Sequence, residues 1–226
     1  LKNDLYKMTI KLKETRDIEL KEKKYLETTL EDISHQLRTP LTSMNVGLEV
    51  LSGNVDVTTK KEFIQMEKKN LDRIEWLVTS LLKMSRLDSG TVLLVDKKEN
   101  LSKIIDNALE PIKIPIELKG INLINEVDKN LKIKVDENWV REAFINVLKN
   151  AYEHTNSLIK IVSSDNPIYT EVQIIDDGVG ISNTDLPHIF ERFYKGSTNK
   201  KSIGIGLNMA KKIIEKENGN ISVQTS

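Results

Sequence analysis

The 226-residue chain contains no cysteine. That excludes a disulfide framework and is compatible with a reducing compartment. Aromatic residues make up only 5% of it, against 30% charged residues, a balance that suits long solvated helices better than a large aromatic core. Net charge is also missing: 34 basic residues offset 34 acidic ones and the pI is near 7.1. A nucleic-acid-binding surface ordinarily carries a basic excess, so no nucleic-acid partner is expected. No apolar run approaches the roughly 18 residues of a membrane span, and no secretory signal pattern is visible. Helix breakers are scarce in the first 50 residues, which hold only Pro40 and Gly47.

What fills that stretch is helical periodicity. Leu5, Met8 and Leu12 begin an apolar stripe, and Ile18, Leu26 and Leu30 continue it with a shift of phase. A tighter seam follows at Leu30, Ile33, Leu37, Leu41, Met44, Leu48 and Leu51, in steps of three and four. One long helix is expected, with Pro40 removing an amide donor and bending it. Within it lies Ser34-His35-Gln36-Leu37-Arg38-Thr39-Pro40-Leu41, carrying one of the chain's three histidines. At 100° per residue, His35 falls about 160° from Leu37 and Ile33, so its imidazole is expected in solvent. A rigidly held, reachable imidazole nitrogen is suited to accepting a phosphoryl group. Gly53 is placed to end the helix. Thr58 or Thr59 can cap a second one, with Glu62 completing a capping box after Thr59. That helix carries Phe63, Met66, Leu71, Ile74, Leu77, Val78, Leu81 and Met84 to about Asp88, where Ser89-Gly90 stops it. A two-helix hairpin cannot bury both stripes alone; a second copy completing a four-helix bundle is the natural solution.

After Gly90 the texture changes to alternating short strands and helices. Strands are expected at Val92–Val95, Ile121–Val127, Leu131–Val135, Leu158–Ser163 and Val172–Ile175, and helices at Leu101–Ile112, Glu137–Tyr152 and Leu207–Lys216. The fold class is therefore multi-domain: an all-α hairpin followed by an α+β domain. No internal repeat is visible.

Three motifs in the second domain converge on a nucleotide. Asn146, Asn150, Glu153 and His154 share one helical side, and amide oxygens there are suitable hard ligands for Mg²⁺, although paired asparagines also occur on plain solvent faces. Asp176-Asp177-Gly178-Val179-Gly180-Ile181 follows a strand. A carboxylate at a strand end can accept the exocyclic amine of adenine, and glycines let backbone approach the base. Asp-Gly also marks ordinary turns. Ser202-Ile203-Gly204-Ile205-Gly206-Leu207 opens a helix at Asn208, where glycine amides form an anion site. It lacks the lysine of a P-loop. Between the last two motifs, Ile189 to Lys195 and the polar run from Gly196 to Lys201 read as a lid hinged on Phe190 and Phe193, which serve as packing anchors. His188 reads as a surface residue, and no second histidine, cysteine or carboxylate stands at zinc spacing.

With the His35 segment, these motifs in this order resemble the cytoplasmic catalytic core of a bacterial sensor histidine kinase of two-component signalling, over about residues 16 to 226. The resemblance implies a linker helix over 1–15, a dimerisation and phosphotransfer hairpin over 16–90, and a two-layer α+β sandwich of the gyrase and histidine-kinase superfamily over 91–226. It implies autophosphorylation of His35 from ATP and transfer to an aspartate of a response-regulator receiver domain. Asn150 is implied as the Mg²⁺ ligand, Asn146 near the phosphates and Asp176 on adenine. Gly178, Gly180, Ile181 and His154 would shape the base pocket. Lys195 would reach the γ-phosphate, with Gly204, Gly206 and Leu207 at the phosphates and the end of the lid. Thr39, on the His35 face, matches a position linked to phosphatase activity. A homodimer through the hairpin, a cell-membrane sensor whose anchoring segments lie outside this chain, and a further strand after Ser226 are also implied.

The departures are informative. Gln36 stands where the family usually has Glu or Asp, and an amide is not a useful base at neutral pH. Glu153 replaces a frequent Lys, His154 a frequent Tyr, and Ser202 the first Gly of the third motif. Two rival readings are a superfamily ATPase and a phosphatase-only or scaffold protein. Water-activating relatives carry Glu where this chain has Asn146, which cannot act as a base; this favours transfer over hydrolysis.

Overall fold

A computed structural model describes residues 2–53, 55–196 and 202–225. The chain divides into two compact units, Leu1–Thr79 and Ser80–Ser226.

The first unit is helical. Helix α1 spans Lys2–Ser52 without interruption, with Pro40 inside it, and α2 spans Val57–Asp88. The cap of α2 is not Thr58 or Thr59. Asp56 Oδ1 accepts the Thr58 and Thr59 amides, each at 2.9 Å, and Thr59 Oγ1 donates to Oδ2 at 2.6 Å. An ionised carboxylate outcompetes a hydroxyl at a helix N-terminus because it also meets the dipole; these bonds, Thr59's first, hold Asp56 below the usual carboxylate range.

The two helices meet on small residues. Among the described residues of α1, Thr29, Pro40 and Gly47 are buried, and Asn70 Nδ2 donates to Ser43 Oγ at 3.2 Å across the hairpin. A Cβ on Gly47 would stand 2.0 Å from Glu67 Oε1. Part of the leucine seam is displaced from this contact. Leu30, Leu41 and Leu48 remain exposed, about 100° around the helix from Thr29, Pro40 and Gly47. On α2, Ile64, Leu71, Val78 and Leu82 are likewise exposed. Ile33, Leu37, Met44 and Leu51 of the seam are half-buried, so its outer edge at Leu30, Leu41 and Leu48 marks a second apolar strip beside the hairpin contact.

The second unit begins within α2. Ser80, Met84 and Leu87 are buried, Lys83 Nζ lies 2.8 Å from Glu142 Oε2, and the Asp88 carboxylate pairs with Lys212 and, at 3.9 Å, with Arg192. Strand β1 (Lys97–Asn100) pairs antiparallel with β3 (Lys132–Val135). A second sheet has the order β2-β4-β5 (Asn122–Glu126, Leu158–Asp165, Thr170–Asp176), with β2 and β4 parallel and β4 and β5 antiparallel. The strand expected at Val92–Val95 is absent: β1 lies at Lys97–Asn100, where the polar Lys-Lys-Glu-Asn run finds a ladder partner in β3. Pairing, not apolar composition, decides a short edge strand.

Helices α3 (Leu101–Lys119), α4 (Glu137–His154) and α5 (Gly206–Lys216) complete the unit. Helix α3 runs past Ile112, the expected end, through Pro111 and Pro115. Both prolines lie off the buried face carried by Ile105, Ala108, Leu109, Ile112 and Ile116, so the burial of that face sustains the helix across two missing amides. Gly120, at φ 67°, then ends it with its amide bonded to Glu117 O. The core joins α3 and α4 to Ile159 and Ile161 of β4, all fully or nearly buried, with Val172 and Ile174 of β5 packed alongside. The alternate β5 residues Glu171, Gln173 and Ile175 face outward, giving a layer of helices on one face of a sheet.

Candidate functional site

In the first unit, His35 is exposed on α1, as the seam geometry requires. Thr39, one turn on, is exposed too, and its hydroxyl donates to the His35 carbonyl at 3.3 Å. Gln36 is half-buried.

In the second unit the three motifs are brought together by α4, the end of β5 and the start of α5. Asp136 caps α4 by accepting the Asn138 and Trp139 amides at 3.1 and 3.3 Å. Asn146 is buried, donating to Glu142 O at 2.8 Å and contacting Met209 Sδ at 3.8 Å. A Cβ on Gly206 would sit 3.0 Å from Asn146 Oδ1. The first and third motifs therefore touch, and the missing side chain of Gly206 makes the contact possible. One turn on, Asn150 and His154 are half-buried and Glu153 is exposed. Helix α5 has no side-chain cap at Ile205, and amides at such a helix start suit an anion.

The loop after β5 is packed against the end of α4. A Cβ on Gly178 would lie 2.5 Å from His154 O, so backbone meets backbone where any other residue would collide. Asp176 Oδ1 accepts the Gly178 amide at 2.9 Å. Gly180 takes φ 71°, which glycine adopts without cost, and the Ile181 amide donates to Thr225 Oγ1 at 3.0 Å.

The lid segment returns across Gly204. Phe193 N donates to Gly204 O at 2.7 Å, and Gly204, at φ 78°, would place a Cβ 2.3 Å from Tyr194 O. Phe193 itself has φ 63°, a strained conformation for an aromatic residue. Phe190 and Phe193 are half-buried. Asn208 Nδ2 donates to Phe190 O at 2.6 Å. Tyr194 donates to Asp185 Oδ1 at 2.7 Å, a bond that pushes the phenol above its usual range. Lys195 is half-buried; of the polar run after it, positions 197–201 lie outside the described residues. His188 is exposed, 2.7 Å from Glu191.

Sequence reasoning passed over Asp177. Its carboxylate gathers donors from the Thr155–Leu158 turn. The doubled Asp176-Asp177 facing a Thr-Asn-Ser turn was the signal available.

Comparison with known proteins agrees with this geometry. Residues 25–90 match the His Kinase A (phospho-acceptor) domain, and residues 135–226 match the histidine kinase-, DNA gyrase B- and HSP90-like ATPase domain. The chain belongs to the histidine kinase family. It is 30% identical over 205 residues to the sensor protein kinase WalK of Staphylococcus aureus, covering 84% of this chain and 48% of the relative. It is 28% identical over 198 residues to the heme sensor protein HssS of Staphylococcus saprophyticus, covering 87% and 43%. The chain thus spans less than half the length of these relatives. Among solved structures, the histidine kinase ThkA in complex with the response regulator protein TrrA superposes with a TM-score of 0.68 at 26% identity, over 83% of this chain and 54% of that one. The kinase core consists, as expected, of a helical phosphoacceptor region followed by an α/β ATP-binding domain.

Proposed function

We propose that this kinase core transfers the γ-phosphoryl group of ATP to His35 and then to an aspartate of a response-regulator receiver domain. The observation that carries the proposal is the exposure of His35 on a continuous helix in which Gln36 is half-buried and Pro40 buried. The imidazole is available to two successive partners, while α1 fixes its position.

The pocket follows from the same reading. Asp176 accepts the adenine amine, and Gly178, Gly180, Ile181 and His154 form the wall of the base site. Gly204, Gly206 and Leu207 present the uncapped α5 amides to the phosphates, with Lys195 toward the γ-phosphate. The donor chemistry suits Mg²⁺: Asn150 offers a neutral hard oxygen beside a phosphate site whose backbone cradle a Cβ on Gly206 would narrow. Magnesium supplies charge neutralisation on the phosphates when bound. The chain's own residues bind the base, hold the triphosphate in line and present the His35 nitrogen, which forms the N–P bond as the bond to ADP breaks. Asn146 donates to a backbone carbonyl and holds no base for water activation. Thr39, beside His35, serves dephosphorylation of the regulator. The exposed leucines of α1 and α2 are closed by a second copy, making the active species a homodimer.

No described helix is long and apolar enough to cross a membrane. Incubation with γ-labelled ATP tests the central step. Acid-labile, base-stable label on the wild type and none on His35→Ala is expected. Free phosphate without protein label overturns the proposal.

A further inference from the structure

We infer that Asp177 is a positioning residue that sets the nucleotide selectivity of the pocket by clasping the base loop to the end of α4; this rests on the reading of Asp176 as the adenine acceptor. Its Oδ1 lies 2.6 Å from Thr155 Oγ1 and accepts the amides of Asn156, Ser157 and Leu158 at 2.9, 2.9 and 3.0 Å. Its Oδ2 accepts the Ser157 hydroxyl at 2.6 Å and the Ser157 amide at 3.2 Å. In return, Asn156 Nδ2 donates to Asp177 O at 2.6 Å. Three successive amides and two hydroxyls thus converge on one carboxylate, the arrangement of an anion nest filled by the protein itself.

The clasp lies at the point where the site is assembled. The turn it holds begins at Thr155, which ends α4 through a 2.8 Å bond to Ala151 O, one residue after His154. It ends at Leu158, which opens β4 in parallel register with Asn122. The next β4 residue, Ile159, stands opposite Asp176. On the other side of Asp177, Gly178 abuts His154 O and bonds Asp176 Oδ1. Asp176 is therefore fixed from both flanks: by the sheet before it, and after it by Gly178 and the Asp177 clasp. The contact of Gly178 with α4 is steric and resists only approach; the clasp is the attachment that resists separation.

That attachment matters most for discrimination between bases. A carboxylate pairs with the amine of adenine and opposes the carbonyl oxygen that guanine carries at the corresponding position. Discrimination of this kind needs a carboxylate that cannot step aside, because a site built around a fixed polar group penalises the wrong partner most strongly. Asp177 touches no nucleotide in this reading; it acts through Asp176 and Gly178.

Equilibrium binding of ATP and GTP to the folded kinase core tests the inference. Asp177→Ala is expected to weaken ATP binding about tenfold, the equivalent of a lost charge-assisted hydrogen bond, with little change for GTP. The ATP-to-GTP preference falls by the same factor, and in phosphorylation assays the loss appears in KM for ATP rather than in kcat. Asp177→Asn keeps an acceptor toward the turn and is expected to restore most of the preference. An unchanged preference in Asp177→Ala overturns the inference. A loss of thermal stability with the preference intact does so too, since it leaves Asp177 a structural role only. If Asp177→Ala does not fold, the double variant Thr155→Val, Ser157→Ala removes the hydroxyl donors from the other side. A lowered preference there supports the clasp and an unchanged one overturns it. Asp176→Ala separates the two levels: if it too leaves the preference unchanged, the adenine reading fails and the inference with it.

Discussion

At the scale of single residues, the chemistry proposed for His35 turns on its neighbour. Gln36 is an amide where a carboxylate would orient the imidazole and take its proton. Gln36→Glu is expected to raise the autophosphorylation rate at least about tenfold, the low end of general-base effects, with KM for ATP unchanged; initial rates of label incorporation check this. Asp177 makes a second residue-scale prediction. Hydrogen bonds from Ser157 first, then Thr155 and Leu158, hold its carboxyl well below the usual range. With the folded-state pKa depressed, the unfolded chain binds the proton more readily. The stabilisation is therefore full above the unfolded pKa and drains away as pH falls below about 4. Asp177→Asn, which cannot titrate, is expected to flatten this acid limb, read from urea midpoints between about pH 3 and 6. The group is exposed, so the change is modest in size but fixed in sign.

At the scale of elements, the crossing of the lid over the α5 loop rests on Gly204. Its φ of 78° and a Cβ position 2.3 Å from Tyr194 O leave no room for a side chain. Gly204→Ala is expected to cost about 1–3 kcal/mol and to weaken ATP binding as the lid base and phosphate loop separate. Urea unfolding and nucleotide titration on the same variant measure both. Gly53→Ala is the useful contrast: Gly53 also follows a helix but is not among the positive-φ positions, so a small effect on stability is expected.

At the scale of the whole molecule, the hairpin presents two apolar faces and closes one. Thr29, Pro40 and Gly47 are buried, whereas Leu30, Leu41 and Leu48 are exposed at 54%, 50% and 58%. Leaving about half of each of three leucines of one stripe in water forgoes roughly 1 kcal/mol each, a drive toward association. Leu41→Lys with Leu48→Lys is expected to convert a dimer to a monomer by light scattering. The second unit should retain its ATP affinity, because its core of α3, α4 and β4 is built from its own residues.

Much of this was legible in the chain. The two long helices, Gly90 as the stop of α2, four of the five strands and the three nucleotide motifs follow from periodicity and breakers, which act locally. His35 was placed in solvent by helical arithmetic alone. Tertiary structure decided the rest. It moved the first strand from Val92–Val95 to Lys97–Asn100, because only the latter finds a partner. It carried α3 across two prolines, because the core rewards the continued face. It gave the α2 cap to Asp56, and it left Leu30, Leu41 and Leu48 of the leucine seam exposed beside the hairpin contact. It also made Asp177 a clasp, since donors 19 to 22 residues away along the chain meet only when β4 and β5 pair. Local spacing in the sequence thus picked out the residues proposed to carry the chemistry; how they are held, and by what, was settled by long-range contacts that no local pattern encodes.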